Sequence, residues 1–194
     1  IEIAKQIGNK RLEGTQIGNL GTVYQMLRRY DESVVHYKEA IDIAKEIGDR
    51  KEEGRNVGNL GIVYGAMREY DTAIEHYRES IKIAQEIGDR KREGIQIGDL
   101  GRLFFQLGRF DEAITNCKRA LGIAEEIGLM NTAKTLLRLL TLIYQNIGHY
   151  DVAIHYCKRA LMVIKELELT SFESFQMGTL GFLYSEIGAY EKAV

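Results

Sequence analysis

Displaced by 40 residues, the sequence falls on itself. Leu20, Leu60, Leu100, Leu140 and Leu180 coincide, and four residues on so do Tyr24, Tyr64, Phe104, Tyr144 and Tyr184. Tyr30, Tyr70, Phe110, Tyr150 and Tyr190 follow, each with an acidic residue after it, and Ile7, Ile47, Ile87 and Ile127 stand before Gly8, Gly48, Gly88 and Gly128. No insertion or deletion breaks the register. A period of this length marks a chain built from supersecondary units, none of which can bury its apolar face alone.

Each repeat reads as two helices. In the second repeat Val57, Leu60, Tyr64 and Met67 keep helical spacing over roughly residues 51–68. Gly58, Gly61 and Gly65 would each cost ~1 kcal/mol relative to Ala in an exposed helix. Their recurrence as Gly18/Gly21, Gly98/Gly101 and Gly178/Gly181 predicts close approach of a neighbouring helix instead. The second helix is expected to open on Asp31, Asp71, Asp111 and Asp151, whose carboxylates suit an N-cap and the positive end of the helix dipole. Its apolar stripe is Ala73, Ile74, Tyr77, Ile81, Ala84 and Ile87. Gly88 then supplies the left-handed residue that stops the helix, and Asp89 caps the next one. Asp49, Arg50, Lys51 and Glu52 have the spacing of a capping box.

The fold class that follows is all-α, an α-solenoid of antiparallel helix pairs stacked into a right-handed superhelix, with the first helix of each pair on the inner surface. The chain reads as one array: residues 1–13 end a preceding repeat, 14–53, 54–93, 94–133 and 134–173 are full repeats, and 174–194 are a partial one.

These residues resemble the tetratricopeptide repeat. That family's pattern of Leu-Gly, an aromatic, then small, aromatic and small residues in the second helix is met by Leu60, Gly61, Tyr64, Ala73, Tyr77 and Ser80. It is met equally by Leu20, Gly21, Tyr24, Ser33, Tyr37 and Ala40. The third repeat has Cys117 for the second-helix aromatic; the fourth has Thr141 for Gly and Cys157 for the aromatic. The long second helix ending in Glu-Ile-Gly-Asp-Arg (46–50, 86–90) is similar to the Pins/LGN spindle-orientation scaffolds and to many bacterial tetratricopeptide proteins. Kinesin light chains are more distant. In the Pins/LGN scaffolds an extended peptide runs along the inner groove, and the resemblance implies that Arg55 is one of the arginines holding it. Their asparagine after Leu-Gly is replaced here by Thr22, Ile62, Arg102, Leu142 and Phe182, so their particular ligand is not implied.

The angle opposite the core stripe gives the groove-facing residues. They are Thr15, Asn19, Thr22 and Gln25; Arg55, Asn59 and Ile62; Ile95, Asp99, Arg102 and Phe105; Thr135, Arg138, Leu139 and Leu142; and Phe175, Thr179, Phe182 and Glu186. Of these, Asn19, Arg55, Asn59, Asp99, Arg102, Phe105, Arg138, Leu142 and Phe182 are the candidate peptide-binding residues. The face grades from amide-rich to apolar, and its arginines suit ligand carboxylates through a planar, bidentate fork.

Chemistry of other kinds finds little support. Twenty-six Lys and Arg against 28 Asp and Glu leave no electrostatic footprint for nucleic acid or an anionic membrane. No apolar run approaches the ~20 residues that span a bilayer. His36, His76, His149 and His155 read as helix surface and turn, not as metal ligands, and the acidic residues as i,i+4 partners of Lys and Arg on solvated faces. No P-loop, nucleophile elbow or HExxH is present, so neither an enzyme nor a cofactor or metal is expected. Cys117 and Cys157, one period apart, read as buried thiols, and a reducing, cytoplasmic location follows. The leading function is a protein–protein interaction scaffold or adaptor that holds a peptide or helical segment in its concave groove. Two other readings stand beside it: a regulatory or sensor segment of a larger signalling enzyme or NTPase, and an array that self-associates through its terminal repeats. Residues 1–5 match 41–45, the middle of a second helix, and Ala193 and Val194 fall just after one opens. The sequence therefore reads as an excised stretch of a longer array.

Overall fold

A computed structural model describes Ala4 and residues 8–188, apart from the side chains of 170 and 171. Ile7, Tyr190 and the outer parts of the stretches read above as broken repeats, residues 1–3, 5–7 and 189–194, lie outside the described residues. Within the described residues the chain forms nine helices of 17 residues: α1 (Lys10–Met26), α2 (Tyr30–Glu46), α3 (Arg50–Ala66), α4 (Tyr70–Glu86), α5 (Arg90–Gln106), α6 (Phe110–Glu126), α7 (Met130–Asn146), α8 (Tyr150–Glu166) and α9 (Thr170–Glu186). The odd-numbered helices are the first of each predicted pair.

The turns explain this regularity. A left-handed residue stands at 8, 28, 48, 68, 88, 108, 128, 148, 168 and 188, at half the sequence period. At Gly88 the φ is +69°, Gly88 N–H donates to Gln85 C=O and Asp89 N–H to Ala84 C=O, the paired bonds of a Schellman stop. The same pair closes α1, from Arg28 N–H to Gln25 C=O and from Arg29 N–H to Tyr24 C=O. Arg28, Arg68 and Glu168 hold the left-handed conformation without being glycine. The first helix of the second repeat therefore stops at Ala66, short of the predicted residue 68. Met67 and Ile87, expected in the apolar stripes, are C-cap residues, and Ile87 is exposed.

Helix starts divide into two kinds. Asn9, Asp49 and Asp89 accept hydrogen bonds from the N–H of Leu12, Glu52 and Arg92, at 3.0, 3.2 and 2.9 Å. The capping box at Asp49 is only half made, because the Asp49 N–H is spent on Ala44 C=O and Glu52 turns to Arg55. The second helices open one residue earlier than predicted, on the aromatic itself. Their N-caps are Arg29, Glu69, Arg109 and His149, with no side-chain cap bond. Asp31, Asp71, Asp111 and Asp151 sit inside the first turn, where a carboxylate favours the helix dipole and does not cap.

The chain divides into two compact units, Ile1–Asp99 and Leu100–Val194, the boundary falling within α5. In the first, α1, α2, α3 and α4 pack in succession, and α1 also meets α3. The predicted close approach at glycine is real. A Cβ on Gly21 or Gly61 would fall 2.9 Å from the ring of Tyr37 or Tyr77, and one on Gly58 2.4 Å from Gln96 Oε1. Beside each ring a small second-helix residue bonds to a first-helix carbonyl: Ser33 Oγ to Gly21 at 2.8 Å and Ser80 Oγ to Gly54 at 2.7 Å. In the second unit α6, α7, α8 and α9 pack in succession around Leu136, Leu137, Leu140, Ile143, Ile164 and Leu183. Cys117 and Cys157 are both free and buried, as expected. Gly178 meets nothing within 4 Å among the described residues, so the close-approach expectation does not extend to it.

The acidic residues depart from expectation. Glu53 and Glu93 are buried on first helices, paired at i,i+3 with Arg50 at 2.6 Å and Arg90 at 2.5 Å. Arg29–Glu32 and Arg109–Glu112 have the same spacing. At the start of a helix an arginine in the cap or first position reaches forward one turn, so i,i+3 displaces the i,i+4 geometry of a helix middle.

Candidate functional site

In the first compact unit, Tyr37 connects the two helix types. Its ring lies over Gly21, which carries its hydroxyl to the α1 face, 3.0 Å from Thr22 Oγ1 and 2.9 Å from Gln25 Oε1, to which it donates. Burial holds this hydroxyl above its ordinary pKa, opposed by Thr22, Arg55, Ser33 and Asn59. Arg55 Nη1 donates to Asn19 Oδ1 at 3.4 Å, while Nη2 is paired with Glu52. Three predicted site residues, Asn19, Arg55 and Asn59, are thus gathered around a tyrosine that the sequence reading had named only as part of the repeat pattern. Arg55 is no free cation, since Glu52 one turn back neutralises it. Arg92 was not foreseen. Burial lowers its pKa, opposed by Asp89 and assisted by Arg55.

In the second unit a cleft of about 330 Å³ opens between α7 and α9, lined by Arg138, Thr141, Leu142, Gln145, Phe175, Gln176, Thr179 and Phe182. Leu142, Phe175 and Phe182 are 45%, 63% and 47% exposed, unusual for large apolar side chains grouped on one surface. Arg138 holds its guanidinium 5.2 Å from the Phe175 ring centre and 5.8 Å from that of Phe172, within cation–π range. Lys134 adds an ammonium 4.8 Å from the Phe172 ring. Arg138, Leu142 and Phe182 are therefore brought together. Thr141, Gln145 and Gln176 join them unforeseen, although Thr141 and Gln145 lie one turn from Arg138 and Leu142, where widening the predicted stripe would have found them. Leu139, expected on this face, is buried in the core.

The family model described as Tetratricopeptide repeat matches residues 12–86 and 94–166, well over half of the chain. The chain belongs to the tetratricopeptide repeat family. No curated protein matches it in sequence. Among solved structures it is similar to BtubC (BKLC) from P. vanneervenii, at 22% identity and a TM-score of 0.87, covering 99% of this chain and 80% of that one. It is similar to aspartyl phosphate phosphatase F from Bacillus subtilis at 21% identity and a TM-score of 0.80, covering 99% of this chain and 51% of that one, about half its length. A Rap protein complexed with Competence and Sporulation Factor is similar at 17% identity and a TM-score of 0.77, over 95% of this chain and 61% of that one. At these identities the likeness shows the fold alone.

In this tetratricopeptide array Asp99 is half-buried and Arg102 exposed, both on α5. Phe105 packs its ring 6.1 Å from that of Phe110. His149 and His155 are exposed, as the surface and turn reading expected, whereas the other two histidines are less so. His36 and His76 are half-buried, His36 stacked 5.1 Å from the ring of Tyr24 and His76 tilted 5.0 Å from that of Tyr64, and His76 Nδ1 lies 2.8 Å from Thr72 C=O. Among the described residues no group of three or more His, Cys, Asp or Glu is placed to hold a metal ion, and no helix is long and apolar enough to cross a membrane.

Proposed function

We propose that the chain is a protein-interaction module that binds a peptide or helical segment of a partner along the faces of its first helices. The apolar cleft beside Arg138 carries this reading. Burying one large aliphatic or aromatic side chain there gains about 1.5–3 kcal/mol, and the stacked guanidinium offers planar donors to an acidic group nearby. Asn19, Arg55 and Asn59 are suited to peptide amides, and Asp99, Arg102 and Phe105 are the further first-helix residues proposed for ligand contact. The family and the likeness to a Rap protein complexed with Competence and Sporulation Factor support it. The test is selection of displayed peptides on the whole chain. Segments pairing an apolar residue with an acidic one should be enriched, and Phe182→Asp should weaken their binding at least about tenfold while leaving the thermal midpoint unchanged. Undiminished binding to Phe182→Asp would remove the cleft from the site.

A further inference from the structure

We infer that the second-helix side of the first compact unit holds a site for a small zwitterion, a free α-amino acid with an apolar side chain. The site lies on α2 and α4, not on the first-helix faces assigned to peptide contact, and stands independently of that reading. A cavity of about 240 Å³ opens between these two helices. Drug-sized ligands begin to need roughly 300 Å³, so this space suits something smaller. Its floor is Ile41, Val57 and Leu60, all buried. Its rim is Lys38, Asp42 and Lys45 from α2, with His76 and Glu79 from α4.

The second compact unit shows what fills the equivalent groove. Two periods on, Tyr156 and Arg159 stand where the first unit has His76 and Glu79, and Lys118 and Glu125 where it has Lys38 and Lys45. There Arg159 is paired with Glu125, Tyr156 stacks 5.5 Å from the ring of Tyr144, and Lys118 holds its ammonium 5.5 Å from that same ring. In the first unit the tyrosine is replaced by a smaller imidazole. Lys45 and Glu79, the same pair with its charges exchanged, make no ion pair among the described residues, and neither do Lys38 and Asp42. The groove therefore stays open with its charges available. Their order selects the ligand. Asp42 lies one turn from both Lys38 and Lys45, so cation and anion alternate along α2 at short range, and Glu79 adds an anion from the facing helix. His76 Nδ1 lies 2.8 Å from Thr72 C=O. A carbonyl only accepts, so Nδ1 carries the proton and Nε2 of the neutral ring is left as an acceptor. Three acceptors, two ammonium groups and an apolar floor match the ammonium, carboxylate and side chain of an amino acid. A carboxylate alone would leave the acceptors unanswered, and an amine alone would leave the lysines so.

Amide chemical-shift titration of the whole chain with L-leucine, isoamylamine and isocaproate separates the two charges, because the analogues are leucine without its carboxylate and without its ammonium. Leucine should bind with a Kd of about 1 mM or tighter, at least about tenfold more tightly than either analogue. The triple variant Lys45→Glu, His76→Tyr, Glu79→Arg rebuilds the filled groove of the second unit and should abolish leucine binding. Asp42→Lys, an exposed change matched by Lys82 in the next repeat, should weaken leucine and leave isocaproate bound no less tightly. Isoamylamine binding as tightly as leucine overturns the assignment in favour of a cation site, and isocaproate doing so overturns it in favour of an anion site. No shift with any of the three at about 10 mM, or leucine binding unchanged in the triple variant, overturns it outright. None of these outcomes bears on the peptide-binding reading, which the displayed-peptide selection decides.

Discussion

At positions 28 and 68 the backbone turns left-handed on an arginine, with φ of 58° and 66°. For an L-residue this conformation costs roughly 1–2 kcal/mol, a cost glycine avoids while losing more entropy on folding. Arg28→Gly and Arg68→Gly should therefore each raise stability by about 1 kcal/mol or less. The two sites lie in separate turns, so the double variant should show the sum in a urea titration. A fall in the midpoint would mean that the arginine side chains contribute more than the turn costs. Cys117 supplies a second expectation. Burial pushes its thiol up to about 12, opposed by Arg102. The unfolded thiol loses its proton near its ordinary value of about 8.5, while the folded one keeps it. Between those limits the unfolded state binds fewer protons, so this residue's contribution to stability falls as pH rises; below them both states are protonated and nothing changes. The stability difference between wild type and Cys117→Ala should shrink by up to about 1.4 kcal/mol per pH unit above pH 9. A pH-independent difference would show that the folded thiol titrates normally.

The glycines of the helices look alike in sequence and differ in what surrounds them. Gly61 lies under the ring of Tyr77, where a Cβ would come within 2.9 Å of two ring carbons, so Gly61→Ala must displace the tyrosine and should cost about 1–3 kcal/mol. Gly122, exposed on α6, has nothing within 4 Å of such a Cβ, and Gly122→Ala should instead gain up to about 1 kcal/mol from helix propensity alone. Thermal melts of both variants test this, and a shift of the same sign in the two would refute it. The contrast marks how far the elements were legible. Phase recurrence identified Gly21, Gly58 and Gly61 as contact points, because packing against an adjacent helix repeats with the period. The helix starts were misplaced by one residue because a carboxylate in the first turn and a carboxylate at the cap have the same composition signal. The turns at 28, 68 and 168 carry no glycine, so the half-period on which all nine described helices are spaced shows in the residues only from Gly88 through Gly108 and Gly128 to Gly148.

Self-similarity promises a uniform array, yet the two compact units bury different chemistry. The first encloses Glu53, Asn56, Glu93 and Gln96; the second has Leu136, Leu137 and Leu140 within its core. The candidate site was legible to a matching degree. Arg138, Leu142 and Phe182 lie on a face set by helical phase alone, and they do meet. The role of Tyr37 escaped notice because it depends on a ring crossing a glycine, a contact between helices that phase along one helix cannot reveal. In a chain of this kind each repeat touches only its neighbours, and stability is close to a sum of local and nearest-neighbour terms. A core truncation should therefore act locally. Leu137 on α7 is fully buried, and Leu137→Ala should cost about 2–5 kcal/mol through lost contact and the cavity left behind. Native-state hydrogen exchange reads where that loss is felt. Amides of α6, α7, α8 and α9 should exchange faster than in wild type, while those of α1, α2 and α3 keep their rates. Uniform acceleration along all nine helices would instead show that the chain opens as a single cooperative body, despite the division of its contacts within α5.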